Sequence, residues 1–257
     1  MLNQIFNLQG RVALITGGSK GIGKAIARAL AEAGADIAIS ARHEDELKSA
    51  AAEIRAGLDR RVEYRVSDMH DRADVDAQAK WALDTFGRVD ILFNNAGSNQ
   101  PQPLVSTTDE SWDYILELNV TNCMRLARAL VPQMIERKWG RIVHLSSVMA
   151  LASNPGRGCY SATKAALIGM ARAHALELGP HGITVNCICP GPVATDLPMN
   201  ILTPEQKHKF AELTAVKRWG QTIDMVGPAL LLATDAGAFI TGNIIVADGG
   251  MLCRTFD

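Results

Sequence analysis

Short, continuous apolar runs recur between longer helical stretches along this chain, and no other feature restricts its fold as much. Candidate strands cover residues 12–16, 36–40, 62–66, 90–94, 141–145, 184–188 and 244–247. Several lack the alternation of a sheet wetted on one side, so they read as strands covered on both faces. Helical patterns fill 22–33, 44–56, 72–86, 109–138, 160–178, 203–214 and 224–234, and Pro132 is expected to kink the fourth of these. This alternation predicts an α/β, doubly wound architecture: one seven-stranded, mainly parallel sheet with helices on both faces. No linker or composition break interrupts it, so residues 1–257 read as a single domain. Residues 190–204 hold Gly191 and four prolines and lead into a polar helix. Residues 195–215 are therefore expected to form a substrate lid, the alternative being an ordinary surface excursion.

Composition removes several function classes. With 47% hydrophobic and 21% charged residues, the chain can bury a large core. A formal net charge of −1 leaves no basic excess to attract nucleic acid or an anionic membrane. No apolar window reaches transmembrane length, and residues 1–6 lack the features of a signal peptide, so a cytoplasmic setting is expected. Cys187 and Cys189 lie in an apolar run and read as buried reduced thiols; Cys159 is either a pocket thiol or a packing residue. The six His show no metal-ligand spacing, so no metal is expected.

The first strand runs into Thr16-Gly17-Gly18-Ser19-Lys20-Gly21-Ile22-Gly23, and a helix follows. Glycines at such a junction let the backbone turn tightly and approach a ligand. The helix N-terminus then offers free N–H groups and a positive dipole end to a pyrophosphate. Counted from Gly17 the spacing is G-x-x-x-G-x-G; a glycine-rich turn with no ligand is the alternative. The second strand should end beside the adenosine ribose, where an acid would accept bonds from the free 2′-OH of NAD. Ala41 stands there and Arg42 follows, with Lys20 as a second cation. Two cations and no carboxylate favour the 2′-phosphate of NADP(H) over NAD(H). Alternatively, Arg42 merely opens a solvated charge run with Glu44, Asp45 and Glu46.

Tyr160 and Lys164 stand four residues apart at the head of an Ala-rich helix, on one face of it, and Ser147 lies upstream. Alone, each has a bland structural reading. Together with the glycine turn, Asn94-Asn95-Ala96-Gly97, Asn119, and Pro190-Gly191 with Thr195, they give the chain a close resemblance to the single-domain short-chain dehydrogenases/reductases. The resemblance runs from about Leu8 to Gly250 and implies a Rossmann-type fold. It implies that Tyr160 is the general acid/base, that Lys164 holds the nicotinamide ribose and favours the phenolate, and that Ser147, with Ser146 as fallback, bonds the substrate oxygen. It further implies that Asn119 completes a proton path to solvent. Gly17, Ser19, Lys20, Gly21, Ile22, Gly23 and Arg42 would contact the phosphates. Asp68 and Met69 would line the adenine. Asn95, Ala96, Gly97, Pro190, Gly191, Val193 and Thr195 would line the rest of the crevice.

Carbonyl reduction needs a hydride on carbon and a proton on oxygen, which these residue types can serve. A substrate pocket is expected from residues 98–102 and 149–154, Cys159, Leu197 and Met199, a mixture of apolar and amide groups. Lys207, His208, Lys209 and Arg218 could attract an acidic substrate or form a solvated face. Within the family, the chain is similar to gluconate 5-dehydrogenase-like and 3-oxoacyl-carrier-protein reductase-like members. A sugar acid or small polar ketone is the favoured substrate. The family also implies a homotetramer. Rival readings are a non-catalytic nucleotide sensor and a lyase or epimerase that uses its cofactor transiently.

Overall fold

A computed structural model describes residues 1–195, 199–200 and 202–253 of the 257-residue chain. Seven strands, β1 Val12–Thr16, β2 Asp36–Ala41, β3 Val62–Val66, β4 Ile91–Asn94, β5 Gly140–Leu145, β6 Ile183–Pro190 and β7 Ile244–Ala247, form one sheet. Their order is β3-β2-β1-β4-β5-β6-β7, and every pairing is parallel. The strand order reverses at β1, so a crevice opens there at the C-terminal ends of β1 and β4, where ligands of such sheets dock.

Continuous apolar strands need cover on both faces, and the side-chain alternation divides it. Ala13 and Ile15 share one core with Ile26 and Leu30 of α2 (Gly21–Glu32) and with Leu47 and Ile54 of α3 (Glu44–Arg55). Leu14, Leu92 and Ile142 face the other core, with Leu126 and Leu130 of α6 (Asn122–Arg137) and Leu167 of α7 (Gly158–Leu178). A short N-terminal turn, α1 (Leu2–Ile5), precedes α2, and α4 (Arg72–Phe86) and α5 (Asp109–Leu116) lie between α3 and α6 in the chain. The Asp71 side chain caps α4 by accepting the Ala73 N–H at 2.8 Å, and Gly87 ends it in the left-handed region at φ 74°. Helix α8 (Pro204–Leu213) starts with Pro204 after a Thr203–Gln206 capping box, and α9 (Val226–Ala233) closes the first layer.

The expected single helix over 109–138 is interrupted. Between α5 and α6 the chain makes a π-helical turn, Glu117–Thr121, which seats Asn119 inward; Pro132 lies within α6, beyond this break. An extra residue in a helical turn re-aims the side chains around it and commonly marks a functional position. Among the described residues, no helix is long and apolar enough to cross a membrane.

Candidate active site

The loop after β1 closes only around glycine. Gly17 and Gly21 adopt φ of 65° and 57°. A Cβ on Gly23 would lie 2.3 Å from the Gly17 carbonyl oxygen. Lys20 is the N-cap of α2 but supplies no side-chain capping bond, so side-chain capping leaves the first-turn N–H groups open to an anion. These features fit a dinucleotide pyrophosphate. Asn95 stitches β4 to this loop: its Nδ2 donates to the Thr16 and Gly17 carbonyls at 2.8 and 3.1 Å. Thr16 Oγ1 accepts the N–H groups of Asn95 and Ala96 at 3.1 and 3.0 Å.

Tyr160 and Lys164 share a face of α7. Lys164 is buried, with Nζ donating to the Leu145 carbonyl at 2.7 Å and standing 5.6 Å from the Tyr160 ring centroid. Ser146 Oγ donates to the Lys164 carbonyl at 2.8 Å and so pins α7 to the end of β5. Ser147 is extended and caps a short 3-10 turn, its Oγ accepting the Met149 N–H at 3.1 Å. The fallback Ser146 is thus occupied in holding α7, while the Ser147 hydroxyl keeps its proton free to donate. Tyr160 is half-buried.

Asn119 joins this group from the π turn. Its Oδ1 accepts the Ser98 N–H at 3.0 Å, and its Nδ2 donates to the Ser98 carbonyl at 2.9 Å and to Thr163 Oγ1 at 3.1 Å. Thr163 Oγ1 in turn donates to the Tyr160 carbonyl at 2.8 Å. A Cβ at Gly97 would lie 3.1 Å from Asn119 Oδ1 and 3.3 Å from Lys164 Nζ, so Gly97 lets these two groups converge. Sequence reasoning missed Thr163 and the anchoring role of Ser146; both act through bonds that no local spacing encodes.

Burial sets the charge states beneath the site. His144 Nδ1 lies 3.1 Å from Asn94 Nδ2, and burial, aided by His174 and Lys164, pushes its pKa down to about 3. The imidazole therefore stays neutral at physiological pH. Burial also raises the Cys123 and Cys187 thiols to about 11 and about 12, which keeps them protonated, as expected for buried reduced cysteines.

The other sequence candidates spread along the crevice. Arg42 is exposed directly after β2 and has no ion pair among the described residues. Asp68 Oδ1 accepts the His70 N–H at 2.9 Å, and the Asp68 N–H donates to Asp74 at 2.7 Å. The Met69 side chain is buried in the second core, so only its backbone can face a ligand. Ile22 packs partly against the first core. Pro190 ends β6, and a Cβ on Gly191 would meet the Asp248 Cα at 2.7 Å. Val193 is buried and bridges Gly220; Thr195 Cγ2 approaches within 3.3 Å of a Cβ position on Gly21. A cavity of about 480 Å³ touches Lys20, Gly21, Lys24 and Thr195 but does not extend to Tyr160.

One carboxylate was unexpected. Glu46, from the first turn of α3, accepts Ser19 Oγ at 3.1 Å and Lys20 Nζ at 3.0 Å. On the substrate side, the Gln102 N–H donates to the Gly156 carbonyl at 3.0 Å, and Cys159 Sγ lies 3.7 Å from the Trp112 carbonyl. Leu197 lies outside the described residues. The Met199 N–H donates to the Thr195 carbonyl at 3.1 Å. Arg218 is held by Asp224 in a two-bonded ion pair at 2.6 and 3.1 Å.

A family model described as enoyl-(acyl carrier protein) reductase matches residues 17–252. A 3-oxoacyl-[acyl-carrier-protein] reductase from Synechocystis sp. is 38% identical over 247 residues, covering 95% of this chain and 98% of that protein. Nodulation protein G from Rhizobium sp. is 36% identical, covering 96% and 99%. The crystal structure of a gluconate 5-dehydrogenase from Burkholderia cenocepacia, in complex with NADP and tartrate, superposes with a TM-score of 0.92 at 32% identity, over 99% of this chain and 100% of that one.

Proposed function

The chain belongs to the short-chain dehydrogenase/reductase family of NAD(P)-using oxidoreductases acting on CH–OH groups, and we propose that it interconverts a secondary alcohol and a ketone with NADP(H), through Tyr160. The observation that carries this reading is the convergence of Tyr160, buried Lys164 and Ser147 at the end of β5, beside a glycine loop built for a pyrophosphate.

A nicotinamide held in this crevice would supply the hydride on reduction and accept it on oxidation. Every other task falls to the chain. Ser147 Oγ donates to the substrate oxygen and orients the carbonyl. Tyr160 Oη gives that oxygen its proton on reduction and takes it back on oxidation. Lys164 Nζ supplies fixed positive charge and a donor to the nicotinamide ribose, steadied by the Leu145 carbonyl. Asn119, locked to Ser98 and Thr163, holds the inner end of the route by which the proton is replaced.

The polar residues of the expected substrate segments support a sugar acid or small polar ketone as substrate; among them Ser153 Oγ lies 2.7 Å from Ser161 Oγ, one residue past Tyr160. A second reading, reduction of 3-oxoacyl thioesters, is supported by the Synechocystis relative. A spectrophotometric screen of nicotinamide oxidation against keto-sugar acids, β-ketoacyl thioesters, diketones and steroids tests all of this. Turnover of at least one ketone is expected, with kcat/KM for NADPH above that for NADH. A ratio below one would overturn the NADP assignment. Absence of turnover with every class would favour the nucleotide sensor, and ligand conversion with no net nicotinamide change would favour a lyase or epimerase.

We also read the chain as one domain, with residues 195–215, of which 196–198 and 201 lie outside the described residues, as the lid, assembling as a homotetramer. β7 is an edge strand with Val246 exposed, and Leu176 and Phe239 are exposed large apolar groups that need cover. Light scattering on a size-exclusion column should give four times the chain mass of 27.6 kDa; a species at the single-chain mass would refute the assembly.

A further inference from the structure

We propose that Glu46 tunes the cofactor preference, acting as an internal anion that occupies Lys20 until the 2′-phosphate of a dinucleotide displaces it. The inference rests on reading the glycine loop as the dinucleotide site. Lys20 sits at the N-cap position of α2, Arg42 follows β2 directly, and Glu46 rises from the first turn of α3, three residues beyond His43 at its N-cap. These three side chains therefore share the ground beyond the C-terminal ends of β1 and β2, where the adenosine ribose sits in sheets of this kind.

Both carboxylate oxygens of Glu46 are engaged with the glycine loop, Oε2 by Ser19 Oγ at 3.1 Å and Oε1 by Lys20 Nζ at 3.0 Å. The bond from Lys20 is the leading cause that holds the Glu46 carboxyl below its usual range, so it is ionised at neutral pH. Arg42 has no ion pair among the described residues. A 2′-phosphate brings a largely dianionic group at neutral pH. It gains Arg42 without competition but must take Lys20 from Glu46 and then lie close to that carboxylate. An unphosphorylated 2′-OH meets no such opposition and can donate to the carboxylate. NADP(H) binding thus carries an electrostatic cost that NAD(H) binding does not. The pair is partly exposed, so solvent screening keeps the effect modest.

Calorimetric titration of the full chain with adenosine 2′,5′-bisphosphate and adenosine 5′-monophosphate isolates the phosphate. Glu46→Gln should bind the bisphosphate about fivefold more tightly at low salt, which converts to about 1 kcal/mol. The monophosphate should change by less than about twofold, and the gain should shrink as salt approaches about 1 M. Glu46→Ala, which cannot replace the hydrogen bonds, should show the same direction. Unchanged bisphosphate affinity would mean that Glu46 swings aside at no cost; weaker binding would mean that it serves to position Lys20. Equal tightening of both probes, or a gain that salt does not reduce, would point to a general loosening. Each of these results overturns the proposal. The wild-type ratio of the two affinities is a separate measurement. A wild type indifferent to the 2′-phosphate would sink the NADP assignment, while a selective gain in Glu46→Gln would still uphold the role of Glu46.

Discussion

Tyr160→Phe is expected to lower kcat by about 10³-fold or more, within the range by which a positioned acid or base speeds a reaction, while the dinucleotide Kd stays within a few-fold. The substitution removes one oxygen and little else. The bonds that hold Tyr160 in place run through its backbone, where its carbonyl accepts Thr163 Oγ1 at 2.8 Å, and Phe keeps that bond. Lys164 retains its bond to the Leu145 carbonyl, and Ser147 keeps its turn. A substrate oxygen would still find Ser147 but no group able to give or take the proton. Because Tyr160 is only half-buried and the ring is preserved, the melting temperature should hardly move. Retention of more than a few per cent of kcat would refute the assigned role. A large loss of dinucleotide affinity would show that the phenol oxygen contributes to cofactor binding.

Much of this arrangement is legible in the sequence because it depends on short-range patterns. β1, β3 and β7 fall where the sequence places them, for different reasons: β1 is an unbroken apolar run buried on both faces, β3 alternates as Val-Glu-Tyr-Arg-Val at one sheet edge, and β7 is a short β-branched run at the other. The Tyr160–Lys164 pair follows from helical periodicity alone. What escaped depends on partners far along the chain. The stretch 109–138 reads as one helix by periodicity, yet Asn119 is tied to Ser98 and Thr163, and Asn122 Nδ2 donates to the Met69 carbonyl at 2.9 Å. Those long-range bonds accompany a π turn that no propensity encodes. Glu46 was likewise hidden. In sequence, Glu44-Asp45-Glu46 is an acidic first turn suited to a helix dipole and to solvent. Only the parallel pairing of β1 with β2 brings it to Ser19 and Lys20. The inference that no carboxylate shares the ribose site therefore needs correction, because the carboxylate comes from the following helix and not from the strand end. Arg218, read as a candidate for substrate charge, is already satisfied by Asp224, six residues on.

Lys164→Ala should do more varied damage than Tyr160→Phe. Lys164 is buried, and its Nζ is the side-chain donor to the Leu145 carbonyl. Truncation leaves that carbonyl to water or without a partner, which costs about 1–3 kcal/mol when a buried acceptor loses its donor. It also removes the fixed positive charge beside Tyr160 and the proposed donor to the nicotinamide ribose. A hydrogen bond from a charged group is worth about 1.5–3 kcal/mol, so dinucleotide Kd should rise by at least about tenfold. Turnover should fall as well, because a positive group beside the reacting oxygen is lost. The expected pattern is a lower melting temperature, weaker cofactor binding and a kcat reduced by about 10²-fold or more. The contrast between the two variants is the decisive reading. If Lys164→Ala lost turnover with dinucleotide affinity unchanged, the ribose contact would be wrong, and Lys164 would act on the phenol alone.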